Sequence, residues 1–570
     1  MKSLAKVRAG HWALACALLS PISGDLHGQS APVVSAPVVS ARPGQRPSQP
    51  MPAAEKDGIH LTLDQAIGLA LSNNQDLNVT VNAAEASQFT LFQNTGIFDP
   101  LASASISRSH QDNPASSQLA GATVLTADQI NGSAQVSQLI PIGGTFTLGF
   151  AANRTNTNST FAQVNPSYTA GLQLSFSQPL LRNSGKLPTT WRIDVARNAR
   201  DASYQDFVRG VQATVNSVEQ AYWDLVYAYG NLTVKQEAKN LAVEQNRITR
   251  IKIDVGSLAP IDIVQTEVDI ATAEQEIISA EGLIGTAQDQ LKRLLTVGPE
   301  DWGDLPIIPT DSIVAGKQSF NLGEGMKTAL QRRPEILQQQ YLVASDELRF
   351  QFFKNQTLPQ LDLQGGYGRN GLGGTAIIRD PNTGEIVSQI PGGFGDALSD
   401  IFGKNFKSWN VGLVFSYPIL NRAARGAAGN AQFTLETDKA RLTVLEQDII
   451  VSVRLAHRAI EIASRQIDAA AKGRELAERN LDAARKKFDN GMSTSFEVSK
   501  ITNDLSDARS KELNALAIYR KAISAYHQAI ADILEWKGVK IEGMPEMAPP
   551  PAEARADLVR RVLEAEAAAP

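Results

Sequence analysis

The sequence holds a single cysteine, Cys16, and six histidines scattered along its length. One thiol excludes a disulfide framework and any all-cysteine metal cluster. The histidines show no paired-ligand spacing. No sign of charge dominates either. Lys and Arg number 54 against 59 Asp and Glu, a net of −5, so there is no basic field for nucleic acid. Long apolar runs are also missing, because beyond the N-terminal segment nothing approaches the ~20 apolar residues of a membrane helix. A mature chain of this kind is soluble, peripheral, or crosses a membrane as a β-barrel. No nucleophile, metal cluster or acid–base pair is fixed by spacing, so the sequence offers neither a catalytic site nor a cofactor site.

The N-terminus reads as a secretory signal over residues 1–28. Lys2, Lys6 and Arg8 supply its charge, Trp12 to Leu19 its short apolar core, and small residues follow from Ser20. Cys16 lies inside that core. Its alternative role is lipidation, but the bacterial lipobox has Leu three residues before the cysteine and Ala13 stands there. Residues 29–57 read as a proline-rich linker in which Ala31-Pro32-Val33-Val34-Ser35 repeats at once, a composition that cannot bury enough to fold. Residues 537–570 read as a loosely held C-terminal tail.

Between these ends the chain contains one pattern twice. Thr62-Leu63 with Ala70-Leu71 returns as Asn321-Leu322 with Ala329-Leu330, and Pro100 returns as Pro359. Phe176-Ser177-Gln178-Pro179-Leu180-Leu181 returns as Phe415-Ser416-Tyr417-Pro418-Ile419-Leu420. Lys252-Ile253-Asp254-Val255-Gly256 returns as Lys487-Phe488-Asp489-Asn490-Gly491. The order is kept, and a unit of about 240 residues is far longer than a solenoid repeat. The first repeat spans 58–300, an inter-repeat linker 301–320, and the second repeat 321–536.

Each repeat opens with one helix of about 35 residues, 61–95 and 321–355. Strand-like alternation follows. Leu172, Leu174 and Phe176 alternate with polar neighbours, as do Trp409, Val411, Leu413, Phe415 and Tyr417, so one face is apolar and the other polar. Long helices come next, at 187–254 and 421–488. Val211, Val215, Val218, Tyr222, Leu225, Tyr229 and Leu232 step at coiled-coil spacing, and Leu442, Leu445, Ile449, Val453, Ala456, Ile460, Ala463 and Ile467 repeat the idea. At 1.5 Å per residue each helix makes a rod of roughly 100 Å. The rods reverse at Val255-Gly256-Ser257-Leu258 and Asn490-Gly491-Met492-Ser493, and second helices return over 260–296 and 495–534. The first repeat is longer between its prolines by about 20 residues, and Gln135 to Leu139, the Pro141-to-Gly144 turn and Thr145 to Phe150 read as an added hairpin. Four to six strands per chain are too few to close a water-filled barrel alone. The rods likewise need partners to bury their seams.

At this point the chain resembles the TolC-like outer membrane factors of drug efflux and type I secretion. The resemblance rests on Leu61-Thr62-Leu63-Asp64-Gln65-Ala66, on Gln178-Pro179-Leu180-Leu181, on Val255 to Pro260 with Asp262, and on their second-repeat counterparts. It implies an α+β fold in which long antiparallel coiled-coil helices form an α-barrel below a membrane β-barrel completed by trimerisation. It further implies a passive outer membrane export channel with a large periplasmic part. The implied partners are two further copies of the chain, outer membrane lipid, a periplasmic adaptor protein and an inner-membrane pump of RND, ABC or MFS type. A periplasmic coiled-coil adaptor is the alternative, though adaptors of that kind have one hairpin rather than two matched halves.

Several residues carry site readings. Gly366-Tyr367-Gly368-Arg369-Asn370-Gly371 matches a dinucleotide fingerprint by letter, but it follows a strand and runs into a polar stretch, which reads as a barrel strand entering an external loop. Thr494-Ser495-Phe496-Glu497 is a capping box with Glu497 at the third helical position. Ala259-Pro260-Ile261-Asp262 places Pro260 first and Asp262 third in its helix. Capping and the helix dipole explain both acids. The resemblance adds a gating role. Family members often carry two acids one turn apart in the second tip. Glu497 matches the first and Lys500 stands at the second, so the pore-gate candidates are Asp262, Glu497 and Lys500. Gly256, Ser257, Leu258, Gly491, Met492 and Ser493 are the adaptor-docking candidates. Phe176, Trp409 and Tyr417 are candidates for the lipid-facing belt.

Overall fold

The computed structural model describes residues 38–41, 58–114, 122–296, 305–314, 316, 318–380, 385–403, 406–545 and 547. The signal segment, with Cys16, lies outside them.

The elements run in order as β1 (Val38–Ala41), β2 (Ile59–Leu61), α1 (Leu63–Asn73), α2 (Gln75–Thr95), β3 (Leu101–Pro114), β4 (Val124–Leu139), β5 (Thr145–Thr157), β6 (Val164–Pro179), α3 (Lys186–Asp254) and α4 (Asp262–Leu295). The second repeat continues with β7 (Ile307–Pro309), α5 (Leu322–Arg332), α6 (Pro334–Asn355), β8 (Gln360–Arg379), β9 (Ile386–Ile390), α7 (Phe394–Phe402), β10 (Lys407–Ser416), α8 (Arg422–Asp489), α9 (Ser495–Ala529), α10 (Ile533–Lys537) and β11 (Val539–Glu542).

Each expected opening helix is in fact two. The chain breaks at Asn74 (φ −63°, ψ 122°) and at Arg333 (φ −61°, ψ 122°). Asn74 leaves helical backbone to cap α2, its side chain accepting from the Leu77 N–H at 3.1 Å. Arg333 is forced extended by Pro334, which occupies the first position of α6. Two sequences thus reach one kink by two chemistries. At the head of α1, Thr62 and Gln65 cap each other reciprocally.

The long helices α3 and α8 run 69 and 68 residues, as the heptads require. Their seams are buried within the single chain, which corrects the expectation that further chains were needed to cover them. Val211, Val215, Val218, Tyr222 and Leu225 are fully buried in a core shared with α1, α4 and the parallel pair β2–β7. Ile449, Val453, Ile460, Ala463 and Ile467 are buried with α5 and α9. The four long helices pack as two antiparallel hairpins, α3 with α4 and α8 with α9, and α3 also lies along α9.

Parts of the segments read as linkers are ordered into these hairpins. Tyr222 donates its hydroxyl to Leu61 O at 3.0 Å and Asp311 Oδ2 at 2.7 Å, tying the inter-repeat segment to the α3 seam. Val38–Ala41, inside the proline-rich stretch, pairs antiparallel with Val539–Glu542 of the tail.

The strands form one antiparallel sheet in the order β10-β8-β6-β5-β4-β3, with β9 paired to β8 off that path. The added hairpin, β4 and β5, lies in the middle of this sheet. α7 lies across β8 and β6 near the end remote from the helices, burying Ala397 and Ile401 against Ala170.

Candidate functional site

The sheet has two chemically different faces. Residues paired directly across strands share a face, and the registers carry one set across the whole sheet. Trp409, Val411, Leu413 and Phe415 lie beside Tyr367, Leu363 and Leu361, then Leu174 and Phe176, then Leu148 and Phe146, then Val136 and Ala102. Trp409 is 72% and Phe415 66% exposed, so this face is apolar and open in the half nearer the helices, while farther out it carries Arg108, His110, Asp128, Arg154 and Arg369 and is partly covered by α7. The opposite face carries Ser103, Ser105 and Ser107 on β3, Asn131, Ser133 and Gln135 on β4, Thr145, Thr147 and Asn153 on β5, and Gln173 and Ser175 on β6. It is the concave side, enclosing a cleft of about 940 Å³ lined in part by Ser105, Asn131, Ser133, Asn153, Thr169 and Asn370. Among the described residues of the six long strands, Asp362 is the single ionisable side chain on that face. Of the belt candidates, Phe176 and Trp409 point to the apolar face, whereas Tyr417 falls one residue past the end of β10.

The glycine run Gly366–Gly371 sits wholly inside β8, which continues to Arg379 instead of entering a loop at Thr375. Its glycines serve close packing. A Cβ at Gly366 would strike Asn410, and one at Gly371 or Gly373 would strike the backbone of α7 at Ala397 or Gly393. The fingerprint letters thus reflect strand-on-strand contact at Gly366 and Gly368 and helix-on-strand contact at Gly371, and no helix opens from them.

At the other end of the rods the two tips are built alike. Gly256 (φ +76°) and Gly491 (φ +73°) take left-handed backbone. Ser257 N donates to Lys252 O at 2.7 Å and Gly256 N to Ile253 O at 2.8 Å, while Met492 N donates to Lys487 O at 2.8 Å and Gly491 N to Phe488 O at 3.1 Å. This paired closure of a helix C-terminus favours glycine. The tips also touch. Lys252 Nζ lies 3.8 Å above the Phe488 ring and donates to Phe488 O at 2.6 Å. Leu258, Ile248 and Leu241 pack on a second-tip core of Phe488, Val498 and Ile501. Met492 is exposed at the extremity.

Of the two tip acids, only Asp262 accepts from a backbone N–H of its own turn. Glu497 N donates to Thr494 Oγ1 at 3.3 Å, as the capping box requires, but the Glu497 carboxylate accepts from the Ser493 hydroxyl at 2.9 Å in place of the cap's own N–H. The assigned α4 starts at Asp262 itself, not two residues earlier. Ala259 to Ile261 form a tighter opening turn, closed by Asp262 N to Ala259 O at 3.0 Å, and the Asp262 carboxylate accepts from Ala259 N at 3.2 Å. Glu497 and Lys500 are exposed on one face of α9, as their spacing of three dictates.

Farther up the rods lies an ion-pair network that heptad reading did not mark. Arg509 joins Glu237 of α3 at 2.6 Å and Glu478 of α8 at 3.1 Å, and Arg474 joins Glu478 at 3.1 Å and Glu512 at 2.5 Å. Hydrogen bonds from Arg509 and Arg474 hold the Glu478 carboxyl below its ordinary range against its slight burial. Three helices from both repeats are clipped together there. Interhelical pairing of this kind is invisible in sequence, because it depends on the relative register of α3, α8 and α9.

The sequence model of the family described as Outer membrane efflux protein matches residues 66–297 and 325–530. Among solved structures, the Campylobacter jejuni CmeC outer membrane channel is similar at 17% identity and a TM-score of 0.59, covering 87% of this chain and 89% of that one. The outer membrane protein VceC of Vibrio cholerae is similar at 14% identity and a TM-score of 0.58, covering 82% and 95%. The open-state MtrE outer membrane channel of Neisseria gonorrhoeae is similar at 15% identity and a TM-score of 0.56, covering 83% and 89%. No curated protein matches the chain.

Proposed function

The chain belongs to the outer membrane efflux protein family, and from that premise we propose that three copies form the passive exit duct of a tripartite efflux pump or type I secretion system. The carrying observation is the two-faced open sheet. Its convex face, apolar in the half nearer the helices, suits lipid and its neutral, largely polar concave face suits water, and the sheet continues directly into the rods of roughly 100 Å. A sheet whose edge strands β3 and β10 have, among the described residues, no partner on their outer sides cannot stand in a membrane unless copies close it. The helices show the same need. Val444, Val451, Leu455 and Ile462 form an exposed apolar stripe on α8, apart from its buried seam, and Val264, Val268 and Ile278 are exposed on α4. Neighbouring copies would cover both. The tips around Gly256 and Gly491 then face the inner membrane as the docking end for an adaptor. Asp262, Glu497 and Lys500, in the first turns of the helices that leave those tips, are the candidates for the gate.

The test is the mass of the detergent-purified complex, with conductance in a planar lipid bilayer. Three chains per particle and discrete channels are expected. A stable, folded, non-conducting monomer would sink the reading.

A further inference from the structure

We propose that the membrane barrel is built from eighteen long strands with a neutral wall, and that it admits hydrated polymers too wide for a barrel with four strands per chain. The proposal rests on the three-copy reading above and deepens it. A tilted strand needs about 9–11 residues to cross a membrane. β3, β4, β5, β6, β8 and β10 have 14, 16, 13, 16, 20 and 10 residues, while β9 has 5. Six strands per chain therefore span, and three copies supply eighteen.

The hairpin β4–β5 makes the difference, and it is wall. β4 pairs with β3 from Leu101 to Pro114, and β5 pairs with β6 from Thr145 to Thr155. Both faces of the sheet cross it unchanged. Val136, Ala134, Phe146, Leu148 and Phe150 continue the apolar side, and Gln135, Ser133, Asn131, Thr147 and Asn153 continue the polar side. A hairpin stacked outside the barrel or folded into its lumen would have no reason to keep that alternation. Its tight turn is seated where the other strands pass into helices. Ile142 O accepts from Gly185 N at 3.1 Å and from Gln178 Nε2 at 3.0 Å. The hairpin thus adds two strands and no helix, so the barrel widens over an unchanged set of rods. Barrel diameter grows roughly in proportion to strand number, which makes this exit about one and a half times as wide as a twelve-stranded one. The inward side chains along the described strands are mostly Ser, Thr, Asn, Gln and Gly, interrupted by Leu101, Ala151, Leu372 and Val414, with the single acid Asp362, so width and hydration, with little charge selection, set what passes.

Deleting residues 115–157 tests this. The join is short, because Asn158 N donates to Thr126 O at 3.3 Å, beside the outer end of β3 where Pro114 pairs with Val124. β3 then takes the place of β5, which runs in the same direction. The measurement is single-channel conductance with neutral polyethylene glycols of graded size added on the outer side only, which senses the barrel and not the periplasmic mouth. With three chains per particle in both proteins, the cut-off radius of the unmodified channel should exceed that of the deletion variant about 1.5-fold. Equal cut-offs in three-chain particles overturn the barrel proposal and leave the three-copy reading intact. Two chains per particle overturn both. Where the deletion variant does not assemble, Ser133→Cys and Ala134→Cys decide, with the unmodified chain as the labelling blank. A bulky water-soluble thiol reagent from outside should label Ser133→Cys and spare Ala134→Cys, and equal labelling of the two overturns the proposal.

Discussion

The two repeats agree in their helices and differ in their strands. α3 and α8 have nearly the same length, both opening kinks share backbone angles within a few degrees, and both tips close with the same pair of hydrogen bonds. Between kink and rod, however, the first repeat carries four long strands and the second two long strands, the short β9 and the helix α7. Helices that pack against one another along their length tolerate little change, since shifting one by a turn breaks every contact at once. A sheet is more forgiving. Inserting a hairpin adds one strand in each direction, so the following strand still runs the right way and its faces stay matched.

The repeats also treat the layer just inside the kinks differently. In the first, the Tyr204 hydroxyl of α3 meets Glu85 of α2, and burial with the nearby carboxylate pushes that phenol up to about 12, so it stays a neutral donor. In the second, the carboxyls of Asp346 on α6 and Asp438 on α8 meet, each also held by an arginine three residues on, Arg349 and Arg441. Burial, then the hydrogen bond with Asp438, raises the Asp346 pKa above 3.8.

The largest expected effect is at the tips. Replacing Gly491 by Val places a β-branched residue in left-handed backbone, at a local cost of roughly 1–2 kcal/mol. Assembly in the membrane should survive and export should fall to the level of a strain lacking the protein. Gly256→Val, at an almost equal φ, should match it if the tips are equivalent. Susceptibility to a panel of toxic compounds and secretion of proteins into the medium, with quantified membrane oligomer, are the readouts, and unimpaired export in either variant shows that its tip makes no essential contact.

The seams come next. Leu225→Ala and Ile460→Ala each empty a buried site in corresponding rods and should each cost about 2–5 kcal/mol, seen as a lower unfolding temperature of the purified complex. A much smaller loss in one rod would mean that the halves do not share the burden of the core.

A smaller effect separates the kink layers by pH. The folded state holds the Asp346 proton more tightly than the unfolded chain does, so its contribution is fully present below the ordinary value of 3.8 and is lost as pH rises through the raised one. Asp346→Asn keeps a neutral hydrogen-bonding group and should flatten that decline. Glu85→Gln in the first repeat should leave the decline in place. Unfolding temperature measured upward from pH 4 in both variants checks the assignment, which fails if Asp346→Asn retains the full slope.

The smallest expected effect is electrical. Asp262 and Glu497 are matching acids, but one turn on the first tip has Gln265 and the second Lys500. A near-neutral mouth should give weak ion selectivity and little block by a trivalent cation. Lys500→Asp should shift the reversal potential in a salt gradient toward cation preference and introduce block. A channel already strongly cation-selective, and unchanged by the substitution, would show that these residues only cap α9.

Much of this was legible in the chain. The duplication, the rod lengths and the turn glycines follow from repeated residues, heptad spacing and the need for positive φ at a reversal. The alternation of Trp409, Val411, Leu413 and Phe415 fixed a two-faced strand. Local chemistry decides such features, so sequence carries them. The breaks at Asn74 and Arg333 are not legible as such, because a single cap or a following proline ends a helix only where the next helix has a new surface to pack on. The place of the added hairpin was equally hidden. Its residues alternate as any strand does, and only pairing with β3 on one side and β6 on the other puts it in the wall. The Arg509 network, the docking of α7 on the β8 glycines and the covering of each rod's seam by its own chain are likewise tertiary. They depend on the register and separation of elements far apart in sequence, which the rods' packing sets and no local pattern records.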